Sequence, residues 1–249
     1  MKTRDELSTR EKYQEIIDRQ QKFISERLNE IKELELDEER GIQKYSKSNK
    51  DIIRNYYNSI LDYQLGNFRA GFSLGKDIEE LKKEIEPMIF SMQQCWRKSS
   101  GYVQLVWVLS ISIMLDIENY KFEKLINLVK TDNPKDYLID FLIHYRISSW
   151  EINSNKFMFK RPYSAVKEIV SLSETDKAKG LERLKKYLDK EWYRGHSDTG
   201  WYNDHKSEGN MHKGYWSFES GALVKILGLD DSSLKDTQYY PYDMVHWNG

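Results

Sequence analysis

Residues 6 to 36 read ELSTREKYQEIIDRQQKFISERLNEIKELEL, with apolar side chains every three or four positions and charged ones between them. The apolar positions are Tyr13, Ile16, Ile17, Phe23, Ile24, Leu28, Ile31 and Leu34. Because an α-helix makes one turn in about 3.6 residues, this spacing places them on one face. The stretch therefore predicts one long amphipathic helix from about residue 6 to residue 36.

The same periodicity continues towards the C-terminus, and the whole chain holds only four prolines. A second helix is predicted from about Ser48 to Phe72, antiparallel to the first, and a third from about Asp77 to Trp96. The carboxylate of Asp77 can cap the free amide groups at the start of the third helix, while Pro87 predicts a kink or break inside it. Further helices are predicted at residues 102–117, 122–129, 137–147, 165–172, 177–192 and 211–227, with a loop at 194–209 and Gly228 as the last C-cap.

These elements predict an all-α fold class. Long N-terminal antiparallel helices are followed by a helical C-terminal half, and we expect the two halves to pack tightly on each other. The sequence places the boundary between the two halves at Asn127 to Pro134. The predicted domains are therefore residues 1–128 and residues 129–249, although a tight interface would make them act as one.

Composition narrows the classes of function. The 249 residues include 39 basic and 40 acidic ones, so net charge gives no reason to expect nucleic-acid or membrane binding. The most apolar stretch, Val103 to Leu115, is well short of the roughly 20 residues that cross a bilayer. Cys95 is the single cysteine, which excludes an intrachain disulfide, and the first residues lack the apolar run of a signal peptide. We expect a cytoplasmic protein.

Residues 214 to 243 contain an unusual order of short segments. These are GYWSFE at 214–219, ILGLDDSSLK at 226–235 and YYPYD at 239–243. Upstream stand GFSLG at 71–75, DIEELK at 77–82, FEKL at 122–125, KRPY at 160–163 and YLDKEWY at 187–193. In this order the segments resemble the PoNi immunity proteins, antitoxins encoded beside PoNe-type DNase effectors that secretion systems deliver to competitors.

The resemblance implies a function. A chain of this family would be a non-catalytic immunity protein that binds a cognate secreted DNase in the cytoplasm of the producing cell and neutralises it by occlusion. It implies a protein partner, no direct contact with nucleic acid or membrane, and no metal or other cofactor.

The signature residues are interpreted as structural. Tyr215, Phe218, Ala222 and Ile226 would share one face of the predicted helix, and an aromatic stripe of this kind is more often core than ligand pocket. Glu219 stands among them, and a buried carboxylate needs a partner, so we interpret it as an anchor for the Tyr-rich terminus or a neighbouring Arg. Trp216 lies beside this stripe, and the signature residues near the C-terminus are Tyr239, Pro241, Tyr242 and Asp243. Pro241 predicts an extended or turn segment there, which would pack on the last helices as a clamp.

Two patterns suggest catalysis, and neither has the required spacing. His196, His205 and His212 are separated by wider gaps than the three to five residues usual between zinc ligands, across a glycine-containing loop. Asp77 with Glu80 and Lys82 imitates a nuclease metal site, but that pattern lies on an amphipathic helix, where Glu and Lys form the solvated face. We therefore expect no catalytic residue and no metal site.

The distribution of charge is more informative than its sum. From Glu191 onward nine acidic and five basic residues give −4, whereas residues 1 to 190 carry +3. An acidic surface would complement the positive DNA-binding cleft of a DNase. The candidate partner-binding residues are Asp198, Asp204, Glu208, Asp230, Asp231 and Asp236, and Glu33 to Glu39 is a second acidic run.

Two other classes of function remain open at this stage. One is a metal-dependent enzyme that uses the loop from His196 to His212, and the other is a helical scaffold that binds some other protein. A neighbouring gene for a secreted chain with a nuclease domain would favour the immunity protein over both.

Overall fold

The computed structural model describes residues 3–248, and within that range it contains helices and no β-strand. The predicted all-α fold class is confirmed. The described chain divides into two compact units, neither of which is continuous in sequence. Unit 1 comprises residues 3–100 with His205–Gly214, and unit 2 comprises Gly101–Asp204 with residues 215–248. The domain boundary predicted between residues 128 and 129 stays a prediction.

Unit 1 is built on a long helical hairpin. Its helices are α1 (Arg10–Glu39), α2 (Asn49–Leu74), α3 (Ile78–Lys83) and α4 (Ile85–Cys95). The side chains of Tyr13, Ile16 and Ile17 on α1 form one apolar cluster with Ala70 and Leu74 on α2. The N-terminal part of α1 thus packs against the C-terminal part of α2, which makes the two helices antiparallel.

Two residues predicted on the apolar face of α1 are exposed instead. Tyr13 and Ile31 lie in the middle of the buried stripe of α1. Since each residue turns the helix by about 100°, Phe23 and Leu28 fall at the two opposite edges of this stripe, where side chains meet solvent. The ring of Phe23 still packs at 5.5 Å from that of Tyr63.

The ends of the helices follow their local sequence. Asp77 accepts a hydrogen bond from the backbone N–H of Glu79 at 2.8 Å, which confirms the predicted cap of α3. The break predicted around Pro87 falls at Glu84, between α3 and α4. Proline is tolerated in the first turn of a helix, whereas in the interior of a helix its ring clashes with the carbonyl four residues earlier. One helix therefore ends before Pro87, and a new helix begins with Pro87 in its first turn.

Unit 2 surrounds the buried helix α5, and α12 packs against it. Its helices are α5 (Tyr102–Met114), α6 (Asn119–Asp132), α7 (Tyr137–Arg146), α8 (Lys160–Tyr163), α9 (Ala165–Thr175), α10 (Lys177–Lys186), α11 (Tyr193–Gly195), α12 (Phe218–Leu227) and α13 (Tyr242–Val245). A π-helical turn, Tyr187–Trp192, joins α10 to α11. Gly228 has φ +59° and caps α12 as predicted.

The helix predicted from residue 211 begins only at Phe218. Residues 211–217 form neither helix nor strand, so Tyr215 does not share a helical face with Phe218 and the predicted stripe is wrong at that position. The physical reason is a competing set of hydrogen bonds. Ser73 donates to the carbonyl of Lys213 at 3.1 Å, and the Nε of Arg69 donates to that of Gly214 at 3.1 Å.

The segment His205–Gly214 thereby acts as a strap across α1 and α2. Arg19 on α1 donates to the carbonyl of Asn210 at 2.8 Å, and the amide of Asn210 donates back to the carbonyl of Lys12 at 3.1 Å. A stretch distant in sequence thus completes unit 1.

Among the described residues, no helix has both the length and the apolarity needed to cross a membrane.

Candidate functional site

Glu219 lies at the start of α12 with its carboxyl group fully buried. Ser217 and Tyr187 donate their hydroxyls to the same oxygen, Oε1, at 2.7 and 3.1 Å. Burial raises the pKa of Glu219, and the hydrogen bonds from Ser217 and Tyr187 only partly oppose this. The hydrogen-bond partners of Glu219 are thus the hydroxyls of Ser217 and Tyr187, whereas the sequence suggested the Tyr-rich terminus or an Arg. Tyr187 can reach Glu219 because it begins the π-helical turn that follows α10.

His196 belongs to the same buried network. Its Nδ1 lies 2.7 Å from the carbonyl oxygen of Trp192, and its Nε2 lies 3.2 Å from the hydroxyl of Tyr163. Both ring nitrogens are thus engaged within the protein, in a side chain that is 1% exposed. This environment is typical of a histidine that holds a core together.

The other two histidines of the predicted metal site lie in unit 1. His212 pairs with Asp5 at 2.7 Å, and the rings of His205 and His212 are 5.9 Å apart. Burial acts to raise the pKa of Asp5, but hydrogen bonds from His212, the Leu7 amide and Tyr13 outweigh it and lower that pKa. Across residues 3–248, no three His, Cys, Asp or Glu side chains are grouped as a metal site would require.

The C-terminal segment is tied to unit 2 by a buried carboxylate. Asp231 accepts hydrogen bonds from the hydroxyl of Tyr240 and, at 2.7 Å, from Nε2 of His246. The backbone N–H of Ser217 donates to the carbonyl of Tyr239 at 2.8 Å. Because Asp231 is only 3% exposed and both its oxygens are occupied, it is not part of an exposed acidic surface.

The remaining signature residues differ in exposure. Tyr215, Trp216, Phe218 and Pro241 are buried, Tyr239 and Tyr242 are half-buried, and Asp243 is exposed. A turn at residues 238–239 precedes Pro241, and α13 begins at Tyr242, so the predicted extended or turn segment ends before Tyr242.

The other predicted partner-binding residues have different environments. Asp198, Glu208, Asp230 and Asp236 are exposed, whereas Asp204 is half-buried and accepts a 2.6 Å hydrogen bond from the hydroxyl of Tyr215. Glu208 lies on the strap of unit 1, and the others lie in unit 2. Hydrogen bonds from Ser232 lower the pKa of Asp230.

Three tyrosines of unit 2 form a ladder of stacked rings that the sequence did not predict. The ring of Tyr193 stacks on that of Tyr202 at 4.5 Å and on that of Tyr239 at 5.3 Å. Tyr193 and Tyr202 are nine residues apart, Tyr239 is distant from both in sequence, and all three are half-buried. The available signal was the density of Tyr and Trp in the polar stretch 192–202, which is unusual for a solvated loop.

Comparison with known families settles the class of protein. The model for the PoNe immunity protein (PoNi), N-terminal, matches residues 4–127, and the model for PoNe immunity proteins (PoNi), C-terminal, matches residues 134–244. Together they define an immunity protein of two helical parts. The chain belongs to the PoNi family of PoNe immunity proteins.

A similar fold occurs among solved structures. The crystal structure of protein PA2201 from Pseudomonas aeruginosa superposes with a TM-score of 0.60 at 17% identity, covering 78% of this chain and 74% of that one. At this identity the likeness concerns the fold alone. No curated protein matches the chain.

Proposed function

We propose that this chain binds a cognate secreted PoNe-type DNase in the cytoplasm of the producing cell and neutralises it by occluding its DNA-binding cleft. The observation that carries the proposal is the match of both PoNi models over nearly the whole chain. In this proposal the chain has no catalytic activity of its own and needs no cofactor.

Exposed carboxylates on unit 2 support an electrostatic mode of binding. A nuclease must hold a polyanion, so its cleft is rich in Lys and Arg. Asp198, Asp230 and Asp236 are exposed and can meet that cleft, with Asp204 contributing its partly exposed side chain. Complementary charge accelerates association and favours the right partner.

Charge reversal tests the surface. Replacing Asp198, Asp230 and Asp236 by Lys together should lower the association rate with the nuclease about tenfold or more and weaken its dependence on salt. The nuclease encoded by the neighbouring gene, made catalytically inactive, is the binding partner in a surface-based kinetic assay. Single exposed charges are worth about 1 kcal/mol or less, which is why all three change at once.

A matched triple controls for net charge. Glu123, Glu174 and Glu182 are exposed on α6, α9 and α10, and their replacement by Lys changes the total charge equally. This control should bind as the parent does. Equal loss of rate in both triples would mean that only net charge matters, and no loss in either would contradict the proposed acidic interface.

A further inference from the structure

Two large apolar side chains stand next to each other on the surface of unit 2. Met158 is 39% exposed and Phe159 is 45% exposed, in the segment 155–161, which reads NKFMFKR. Single exposed apolar residues are common on protein surfaces, whereas Met, Arg and aromatic residues together are typical of the cores of protein interfaces. This segment has that combination, because four successive residues, Met158 to Arg161, are all exposed.

Contacts with buried residues hold this segment in place. The backbone N–H of Met158 donates to Oδ2 of the buried Asp136 at 2.7 Å. The ring of Phe159 stacks on that of the buried Tyr102 at 5.1 Å, with an angle of 18° between the two rings. The exposed side chains are thus presented by a backbone that is already fixed, so little conformational entropy is lost when a partner binds them.

The charge around these apolar residues is positive. The guanidinium of Arg161 donates to the carbonyl of Arg194 at 2.9 Å and to the hydroxyl of Ser197 at 2.7 Å, which brings residues 194–198 beside the segment. Over residues 151–167 and 194–198 the exposed cations are Lys156, Lys160, Arg161, Lys167 and Arg194, and the exposed carboxylates are Glu151 and Asp198. Because the cations outnumber the carboxylates, the complementary partner surface is anionic.

The side chains of the segment favour a protein over a nucleic acid as the anionic partner. Proteins that bind single-stranded nucleic acids stack successive bases on a series of aromatic rings. Within residues 155–161, Phe159 is the one exposed ring, and its neighbour Met158 offers no flat face to a base. The flexible thioether of Met instead adapts to irregular apolar hollows, as it does in protein interfaces.

We propose that Met158, Phe159, Lys156 and Lys160 form a docking surface for a patch of the nuclease that combines carboxylates with an apolar hollow. The two apolar side chains fill the hollow, and the two lysines pair with the carboxylates around it. This inference rests on the proposed function and adds to it a second contact of opposite charge. Adjoining patches of opposite charge fix the register of two proteins and exclude partners that lack the same arrangement.

Continuity with Asp198 supports the nuclease as the occupant. Asp198 is an exposed carboxylate of the proposed interface, and it directly follows Ser197, to which Arg161 is hydrogen-bonded. The positive docking surface therefore adjoins a residue proposed to meet the DNA-binding cleft. A nuclease bound at Asp198 would also cover Met158 and Phe159, since a typical interface buries about 800 Å² on each partner.

Met158→Ser tests the apolar contact. Because Met158 is exposed, the helical spectrum and the melting temperature should stay close to those of the parent, while binding of the catalytically inactive nuclease should weaken about tenfold. Met211→Ser is the matched control, because Met211 is 48% exposed and lies on the strap of unit 1. This control should bind within about twofold of the parent.

A double charge reversal tests the lysines. Lys156→Glu combined with Lys160→Glu would place carboxylates opposite those of the nuclease, so association should slow about tenfold at low salt and less at high salt. Lys47→Glu combined with Lys83→Glu is the matched control, because both lysines are exposed on unit 1 and the net charge changes equally. This second control should also bind within about twofold of the parent.

The outcomes separate this inference from the proposed function. If the parent chain fails to bind the nuclease, the proposed function itself is wrong. If the parent binds and both the Met158 and the double lysine variants bind equally well, the docking surface is wrong while the function stands. Two further results would overturn its occupant: binding of a single-stranded oligonucleotide that the double lysine variant abolishes, or a dimer of the chain that Met158→Ser dissociates.

Discussion

At the scale of single residues, adjacent carboxylates can have opposite roles. Asp230 is exposed and accepts hydrogen bonds from Ser232, whereas Asp231 is buried and holds Tyr240 and His246. The sequence predicted both as partner-binding from a count of acidic residues. A count of charges contains no information about burial, because burial is decided by distant elements that pack over the site.

Glu219 gives a residue-scale prediction about pH. Its folded-state pKa is raised above the usual 4.5 by burial, so the folded protein binds this proton more tightly than the unfolded chain. The contribution of Glu219 to stability is therefore present at low pH and is lost as pH rises from about 4.5 through the raised pKa. Glu219→Gln, which stays neutral, should remove this part of the pH dependence.

Urea unfolding of both proteins between pH 4 and pH 8 measures the effect. The difference in the free energy of unfolding between parent and Glu219→Gln should change in favour of the variant as pH rises. Glu219→Ala is the control, because it leaves Ser217 and Tyr187 without their acceptor and should be destabilised at low pH too. A constant difference between parent and Gln variant over the whole range would contradict the buried, protonatable carboxyl.

At the scale of elements, the sequence predicted helices well and their partners poorly. Apolar spacing and capping residues such as Asp77 and Gly228 are local signals, and the helix ends that they cap, the start of α3 and the end of α12, lie where they were predicted. The helix predicted from residue 211 does not form over residues 211–214 of the strap, because the carbonyls of Lys213 and Gly214 accept hydrogen bonds from Ser73 and Arg69, more than a hundred residues earlier. No local pattern reports such long-range donors, and Tyr187 was missed as a partner of Glu219 for the same reason.

The strap gives an element-scale prediction. Arg69 on α2 is buried and donates from two nitrogens to the carbonyl of Gly214. Arg69→Met keeps much of the side-chain volume and removes both donors, so the free energy of unfolding should fall by about 1–3 kcal/mol. Hydrogen exchange across residues 205–214 should become faster, since the strap loses one of its attachments.

Arg54 provides the matched control for this change. It lies on the same helix but is exposed, and its partner Asp51 is exposed as well. Arg54→Met should therefore alter stability by less than about 0.5 kcal/mol and leave exchange in the strap unchanged. Protection of residues 205–214 that is the same in Arg69→Met as in the parent would show that these hydrogen bonds do not hold the strap.

At the scale of the whole molecule, function follows from family membership and surface chemistry together. Short segments such as those at 214–219 and 239–243 carried the resemblance, and both halves match PoNi models. Most of the aromatic residues in these segments pack inside the fold, so they identified the family without marking a binding surface. The tyrosine ladder was not predicted, because only the folded chain brings Tyr239 onto Tyr193, which itself stacks on Tyr202 nine residues later.

Inhibition of the nuclease tests the central claim most directly. The PoNe-type nuclease proposed as the partner is incubated in its active form with DNA and its metal ion while the full chain is added in increasing amounts. We expect cleavage to stop when the chain reaches about equal molar amounts, and the chain alone to leave DNA intact with magnesium or manganese. Cleavage that continues at full rate in a large molar excess of the folded chain would contradict the account.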